Sequence, residues 1–243
     1  MLKLLTWNCQ GAFRKKFPRV AEMAPDLAVI QECEQLDRIP WKKGTPPSAA
    51  LWFGDNPTRG LGIFSWTNLC FEALPGYDQS IRYCIPLRVT SPYQFQALAV
   101  WAMPDRLRTH SYSGQIYLAL AAYRSFIQSA DTVVLGDFNS SQRTTPGSRL
   151  GNHASLTLNL KDLWLVSAYH QFYLERQGQE KRWTYFQGRK PSHPAHLDYA
   201  FIPSRWLRRL ARVAVGEPQS WLECSDHCPV MVEINEKGPG VIV

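Results

Sequence analysis

The sequence has few cysteines, no long apolar run, no low-complexity tract and no internal repeat. Six cysteines in 243 residues are too sparse for a disulfide scaffold, and none stands in a CxxC pair, so buried free thiols are expected. His193, His196, Cys224 and Cys228 can be written as a zinc set, but His196 and Cys228 belong to better-explained segments. No stretch reaches the roughly 18 apolar residues of a membrane-spanning helix. The opening Met1-Leu2-Lys3-Leu4-Leu5-Thr6-Trp7-Asn8 is too short for a signal-peptide core and reads as a strand, which leads us to expect a cytoplasmic protein. No linker divides the chain, so one domain over residues 1–235 is expected, with a frayed tail over 236–243.

Hydrophobic residues make up 45% of the chain, enough to bury a full core. The net charge of +7 suits polyanions such as nucleic acid, without specifying one. Basic residues cluster at Arg14-Lys15-Lys16 and at Arg205, Arg208, Arg209 and Arg212 around Trp206. The first cluster closely follows Asn8, which makes Arg14 and Lys15 candidates for phosphate contact; the second reads as a solvated face.

Short apolar strands alternate with turns and a few helices. Strands are expected at Leu2–Trp7, Leu27–Ile30, Ala50–Phe53, Gly60–Ser65, Leu69–Leu74, Ile81–Val89, Gln94–Trp101, Asp131–Leu135, Trp183–Phe186, Leu197–Ile202, Arg212–Val215 and Pro229–Ile234. A short helix is expected around Arg19–Met23, and another over Gln115–Gln128, where apolar residues recur at 116, 120, 123 and 127. A third should begin near His153 and run to Leu160. Without a regular βαβ beat, this pattern predicts a layered α/β sandwich of largely antiparallel sheets with helices outside.

Five polar motifs end apolar runs: Thr6-Trp7-Asn8, Gln31-Glu32, Gly136-Asp137-Phe138-Asn139-Ser140, His196-Leu197-Asp198-Tyr199 and Ser225-Asp226-His227. In an extended segment alternate side chains share a face, so Asp137 and Asn139 should project together while Phe138 turns to the core. If neighbouring strands end at one edge, Asn8, Glu32, Asp137 and Asp198 meet in one cleft. Half-buried carboxylates are costly unless paired or metal-bound, which points to a cation among Glu32, Asp137 and Asp226. Oxygen donors without a Cys/His cage suit Mg²⁺ or Mn²⁺ better than zinc. Asp198 is a candidate to hold His227 in one tautomer, as the acid does in hydrolytic triads. Each motif alone has a bland alternative, since an isolated strand-end Asp is more often a turn or cap. The full set in this order is what favours chemistry.

With Gly60-Leu61-Gly62-Ile63-Phe64-Ser65 and Cys228-Pro229 added, the set resembles the endonuclease/exonuclease/phosphatase superfamily over residues 2–232. That resemblance implies a four-layered α/β sandwich, two packed mostly antiparallel β-sheets flanked by helices, and a Mg²⁺-dependent attack of water on phosphorus, with Mn²⁺ as a substitute. It implies Glu32 as the main metal ligand, with Asn8 nearby, where it also faces substrate, and Asp226 across the metal. Asp137 would orient or deprotonate water, Asn139 would hold phosphate, and His227, paired with Asp198, would stabilise the transition state or act as base.

Departures limit the substrate reading. Abasic-site nucleases of the superfamily carry Gln-Glu-Thr-Lys where this chain has Gln31-Glu32-Cys33-Glu34, so a positive charge is missing. The Thr-His-Leu-type motif of other members is replaced by Ala99-Val100-Trp101-Ala102-Met103-Pro104. The abasic-site group places a tyrosine just before the next helix, where Tyr112 stands with His110 two residues ahead, and both are site candidates. His153 reads as helix-start hydrogen bonding, His170 as structural, and Trp183 and Tyr185 as core or cleft wall with a possible stacking use. The expectation is a monomeric nuclease acting on DNA or RNA. The alternatives are an enzyme acting on a small phosphorylated metabolite or lipid headgroup and, more remotely, a catalytically silent nucleic-acid-binding module.

Overall fold

The computed structural model describes residues 1–103, 111–143 and 151–236. In chain order the elements are β1 (Leu2–Asn8), α1 (Phe17–Glu22), β2 (Leu27–Cys33), β3 (Ala49–Asn56), β4 (Arg59–Ser65), β5 (Cys70–Ala73), β6 (Cys84–Ser91) and β7 (Phe95–Trp101). There follow α2 (Tyr112–Ala122), α3 (Arg124–Ser129), β8 (Thr132–Asp137), α4 (His153–Asp162), β9 (Leu165–Ser167), α5 (Ala168–Tyr173), β10 (Tyr185–Phe186) and β11 (Pro194–Ala195). β12 (Asp198–Pro203), β13 (Leu210–Val215), α6 (Pro218–Trp221) and β14 (Val230–Ile234) complete the chain.

Two six-stranded sheets form, in the orders β13-β14-β1-β2-β4-β3 and β5-β6-β7-β8-β12-β9. Strand alternation builds the layers. Leu2, Leu4, Leu27, Val29, Leu61 and Ile63 of the first sheet pack with Leu87, Ala97, Ala99, Val133, Leu135 and Ile202 of the second in a shared core. The intervening residues Leu5, Trp7, Ala28 and Ile30 point outward onto Phe17 and Val20 of α1. On the far side Leu98, Val100 and Val134 meet Ile116, Leu120, Leu156 and Leu160 of α2 and α4. The result is helix, sheet, sheet, helix, as expected.

Both sheets are mixed, and their parallel pairs matter most. β1 runs parallel to β2, and β7 parallel to β8, while the other neighbours in each sheet are antiparallel. Parallel neighbours finish at the same edge, so the Asn8 and Glu32 ends of the first sheet emerge together, while in the second the start of antiparallel β12 meets the end of β8.

Several boundaries differ from the sequence expectation. The long helix begins earlier, at Tyr112, because the Ser111 side chain accepts from Gly114 N at 3.3 Å. It breaks at Tyr123, whose phenol oxygen accepts from Asp78 N at 3.0 Å, and α3 follows separately. β6 starts at Cys84 rather than Ile81, and only Tyr185–Phe186 of the 183–186 segment is strand, paired with the two-residue β11. β9 and α5 were not anticipated: three strand residues and one and a half helical turns are too short for periodicity to reveal. The six cysteines are free; Cys9, Cys33, Cys84 and Cys228 are buried as expected, whereas Cys70 is exposed and Cys224 half-buried. No described helix is long and apolar enough to cross a membrane. Of the tail, residues 237–243 lie outside the described residues.

Candidate active site

The parallel pairing of β1 and β2 sets Asn8 opposite Gln31, so Asn8 and Glu32 leave the first sheet side by side. In the second sheet β8 ends on Asp137, and antiparallel β12 places Asp198 directly opposite it. One side chain joins the two sheets at this edge. Asn8 Nδ2 donates to Asp137 Oδ2 at 3.0 Å and to Glu32 Oε1 at 3.3 Å, while its Oδ1 accepts from Gln10 N at 3.0 Å. In this orientation Asn8 turns its N–H groups, not its carbonyl, toward the carboxylates. A layer below, Gln31 Nε2 donates to Thr6 Oγ1 at 3.0 Å and to Val100 O at 3.1 Å, again linking the sheets.

Special backbone positions aim these groups. Glu32 has φ 59° and sits where the β2–β4 register shifts between Gln31 and Cys33. A bulge with a positive φ at a non-glycine residue is a costly feature that redirects a side chain. Gly136 has φ 155°, and a Cβ there would collide with the Val100 carbonyl. β8 can therefore lie against β7 only with glycine at this position. Asn139 has φ 46°, so the chain turns after Asp137 instead of continuing extended. Asp137 and Asn139 meet nonetheless: Asn139 N donates to Asp137 Oδ1 at 2.8 Å, and its Nδ2 to Asp137 Oδ2 at 3.0 Å and Ala102 O at 3.1 Å. Phe138 is buried, as its alternation required.

His227 Nδ1 lies 2.8 Å from Asp198 Oδ2, both side chains buried. That contact leaves Nε2 as the nitrogen available to a substrate. The surroundings hold the pair rigidly. Thr184 Oγ1 accepts from the backbone N–H of Leu197 and Asp198 at 2.9 and 3.1 Å. Ser225 Oγ donates to Asn8 O at 2.7 Å and accepts from His227 N at 3.0 Å, and Trp7 Nε1 donates to His227 O at 2.9 Å. The Tyr185 ring lies 4.8 Å from the imidazole, centroid to centroid, and forms part of the cleft wall.

Electrostatics mark the same place. Burial pushes the Asp137 carboxyl well above the usual carboxylate range, against the lowering pull of His227, with the Asp198 charge adding to the rise. For His227 burial acts downward, but the Asp198 and Asp137 charges outweigh it and raise the imidazole above its ordinary value. Asp226 is raised by burial, with Glu32 adding to the shift and His227 opposing it. The Tyr185 phenol is raised by burial and then by the nearby Asp226 and Asp137 charges.

Donor atoms of Asp137, Asp198 and His227 all lie within 4.8 Å of one another, a candidate divalent-cation site. Asp198 Oδ1 is buried without a hydrogen-bond partner among the described residues, an orphan that a nearby cation would satisfy. Oxygen-rich donors with one imidazole fit a hard divalent ion.

Other expected residues fall in different roles. Arg14 pairs with the buried Glu34, and both Arg14 and Lys15 are exposed. Glu34 occupies the position where the abasic-site pattern has lysine, so its charge is neutralised locally. His110 lies outside the described residues. His153 Nδ1 bonds Ser140 Oγ at 2.9 Å at the start of α4, and His170 is held by Ser167 and Glu180, both structural arrangements. The zinc set of His193, His196, Cys224 and Cys228 is not among the metal-ligand groups of the described residues. Sequence reasoning did not find Arg59, whose Nε lies 3.0 Å from Glu32 Oε2; its only signal was its place just before Gly60-Leu61-Gly62.

A family model described as "Endonuclease/Exonuclease/phosphatase family" matches residues 5–227. The chain belongs to that family. In this family setting, the carboxylate, amide and imidazole array is the active site of a metal-dependent hydrolase of phosphate esters. No curated protein matches the sequence. Among solved structures, the 3′ phosphatase NExo from Neisseria bound to a product DNA hairpin is similar, with TM-score 0.73 and 21% identity over 97% of this chain and 100% of that one. An AP endonuclease from Archaeoglobus fulgidus gives TM-score 0.69 and 15% identity over 96% and 99%. The endonuclease domain of TRAS1, a telomere-specific non-LTR retrotransposon, gives 0.64 and 18% over 96% and 98%. At these identities the likeness establishes the fold.

Proposed function

We propose that this protein is a Mg²⁺-dependent nuclease that hydrolyses phosphodiester bonds in DNA. The observation that carries the reading is the single hydrogen-bonded array in which Asn8 ties Glu32 to Asp137, beside the Asp198–His227 pair. The net charge of +7 favours a polyanionic substrate, and three similar folds belong to proteins described as a DNA-bound phosphatase, an AP endonuclease and a retrotransposon endonuclease.

We infer that Glu32 and Asp226 would add ligands for the cation beside the Asp137, Asp198 and His227 group. Asp198 and His227 stand at hydrogen-bond distance and act best as a pair, whereas Glu32 and Asp226 are mutually repelling carboxylates that a cation would relieve. A divalent ion held by these residues, Mg²⁺ in this reading, would supply Lewis acidity to a phosphoryl oxygen. Asp137, raised by burial, is suited to take the proton that water loses as its oxygen bonds to phosphorus. Asn139, held 3.0 Å from Asp137 by its own amide, lies where it can steady the phosphate. His227 turns Nε2 to the phosphate oxygens and offsets the charge that grows as the P–O bond to the leaving oxygen breaks. Tyr185 flanks the imidazole, and Tyr112, the first residue of α2, is assigned here to substrate contact.

One substrate panel tests the reading: supercoiled plasmid, abasic duplex, single strand, RNA, sphingomyelin and inositol phosphates, each with Mg²⁺ and with chelator. Cutting of the DNA substrates with Mg²⁺ alone is expected. Turnover confined to sphingomyelin or inositol phosphates would replace the nuclease reading with the small-ester one.

A further inference from the structure

Arg59 stands where the β3–β4 hairpin returns to the site. Its guanidinium forks a single carboxylate oxygen, with Nε 3.0 Å and Nη2 2.5 Å from Glu32 Oε2. The other oxygen of Glu32 accepts from Asn8. Both oxygens of this carboxylate are thus held by donors, one neutral and one cationic.

This contact is built into the scaffold. Asn56 Oδ1 accepts from Thr58 N at 3.0 Å and from Thr58 Oγ1 at 2.8 Å, closing the hairpin turn just before Arg59. Gly60 lies against the Trp52 ring with no room for a Cβ, and Trp52 Nε1 donates to Cys33 O at 3.0 Å. β4 is thereby pressed against the β2 bulge that aims Glu32. Arg59 is still 55% exposed while Glu32 is 15% exposed, so the arginine reaches in from the mouth of the cleft.

We propose that Arg59 is the resident counter-cation of Glu32, displaced when a divalent ion takes that carboxylate, and that its freed guanidinium then grips a backbone phosphate of the bound DNA. A guanidinium fork fits phosphate as well as it fits carboxylate. The exchange couples cation loading to substrate grip: until the ion arrives, the arginine is spent on Glu32. The chain thus supplies, from a neighbouring strand, a positive charge that its Gln31-Glu32-Cys33-Glu34 segment lacks. The inference rests on the proposed nuclease reading and deepens it.

Two binding measurements on Arg59→Ala test it. Mn²⁺ affinity, by titration calorimetry without nucleic acid, should rise about two- to fivefold, the worth of one partly exposed ion pair. Affinity for a hairpin DNA oligonucleotide with Mn²⁺ present, measured in an Asp137→Asn background so that the strand is not cut, should fall about tenfold, and the slope of log affinity against log salt should shrink by about one. Arg59→Lys, which keeps the charge and loses the fork, should fall between. Unchanged or weakened Mn²⁺ binding in Arg59→Ala, or unchanged DNA affinity and salt slope, overturns the exchange. The nuclease reading fails separately, if the unsubstituted protein cuts no DNA with Mg²⁺.

Discussion

Asp198 Oδ2 and His227 Nδ1 face each other at 2.8 Å inside a buried pocket, and this contact decides which imidazole nitrogen turns to the cleft. Asp198→Asn removes the charge that raises the imidazole and can stabilise the wrong tautomer. We expect kcat to fall by about 10²- to 10⁴-fold, with KM little changed, because the lost interaction acts mainly in the transition state. Steady-state kinetics with circular dichroism to confirm folding would check this; a change in KM alone would assign the pair to substrate binding.

Gly136→Ala should cost stability and not only activity. The added methyl meets the Val100 carbonyl in a backbone conformation that disfavours any side chain. A loss of about 3 kcal/mol or more in unfolding free energy is expected, read from denaturant titration. A loss below about 0.5 kcal/mol would mean that β7 and β8 can separate at little cost.

Acid should weaken the fold well above the usual carboxylate range. Burial lowers the imidazole pKa of both His153 and His196 to about 4, so in the native state they stay neutral as pH falls, while the unfolded chain takes up their protons near pH 6.5. The unfolded state then binds more protons, and stability is lost between about pH 6.5 and 4 at about 1.4 kcal/mol per pH unit for each histidine. Glu180 adds a lower window: its carboxyl is held to about 2, where burial alone would raise it, by the His170 hydrogen bond and backbone N–H donors, and its contribution fades as pH falls from about 4.5 toward 2. Asp137 and His227, both raised in the folded protein, bind protons more tightly there and oppose this loss near neutral pH, so the check is a comparison: between pH 6 and 5 the loss of unfolding free energy in His153→Gln should be smaller than in the unsubstituted protein by about 1 kcal/mol. An unchanged pH slope in His153→Gln would show that this imidazole is protonated in the folded protein.

The strand-end motifs were legible because an apolar run closing on a carboxylate, amide or imidazole is visible in one dimension. Their meeting depended on two long-range pairings, β1 parallel to β2 and β8 antiparallel to β12, which no local pattern states. The turn at Asn139 escaped notice because alternation assumes an extended chain, yet the left-handed backbone still brings its amide to Asp137. The pairing of Arg14 with Glu34 escaped notice because nothing near it in sequence signals that Glu34, twenty residues on, is buried and draws its charge. Arg59 was missed for a similar reason: its bond to Glu32 spans a hairpin and relies on a bulge that only the β2–β4 register reveals.

The most direct measurement is relaxation of supercoiled plasmid by purified protein with Mg²⁺, with chelator, and with the Asp137→Asn variant. Nicked or linear DNA should appear only in the first case, with the variant slower by about 10³-fold or more while its circular dichroism and melting remain those of a folded protein. Equal cutting by Asp137→Asn, or cutting that persists in chelator, would contradict a site in which Asp137 and a divalent cation carry out the hydrolysis.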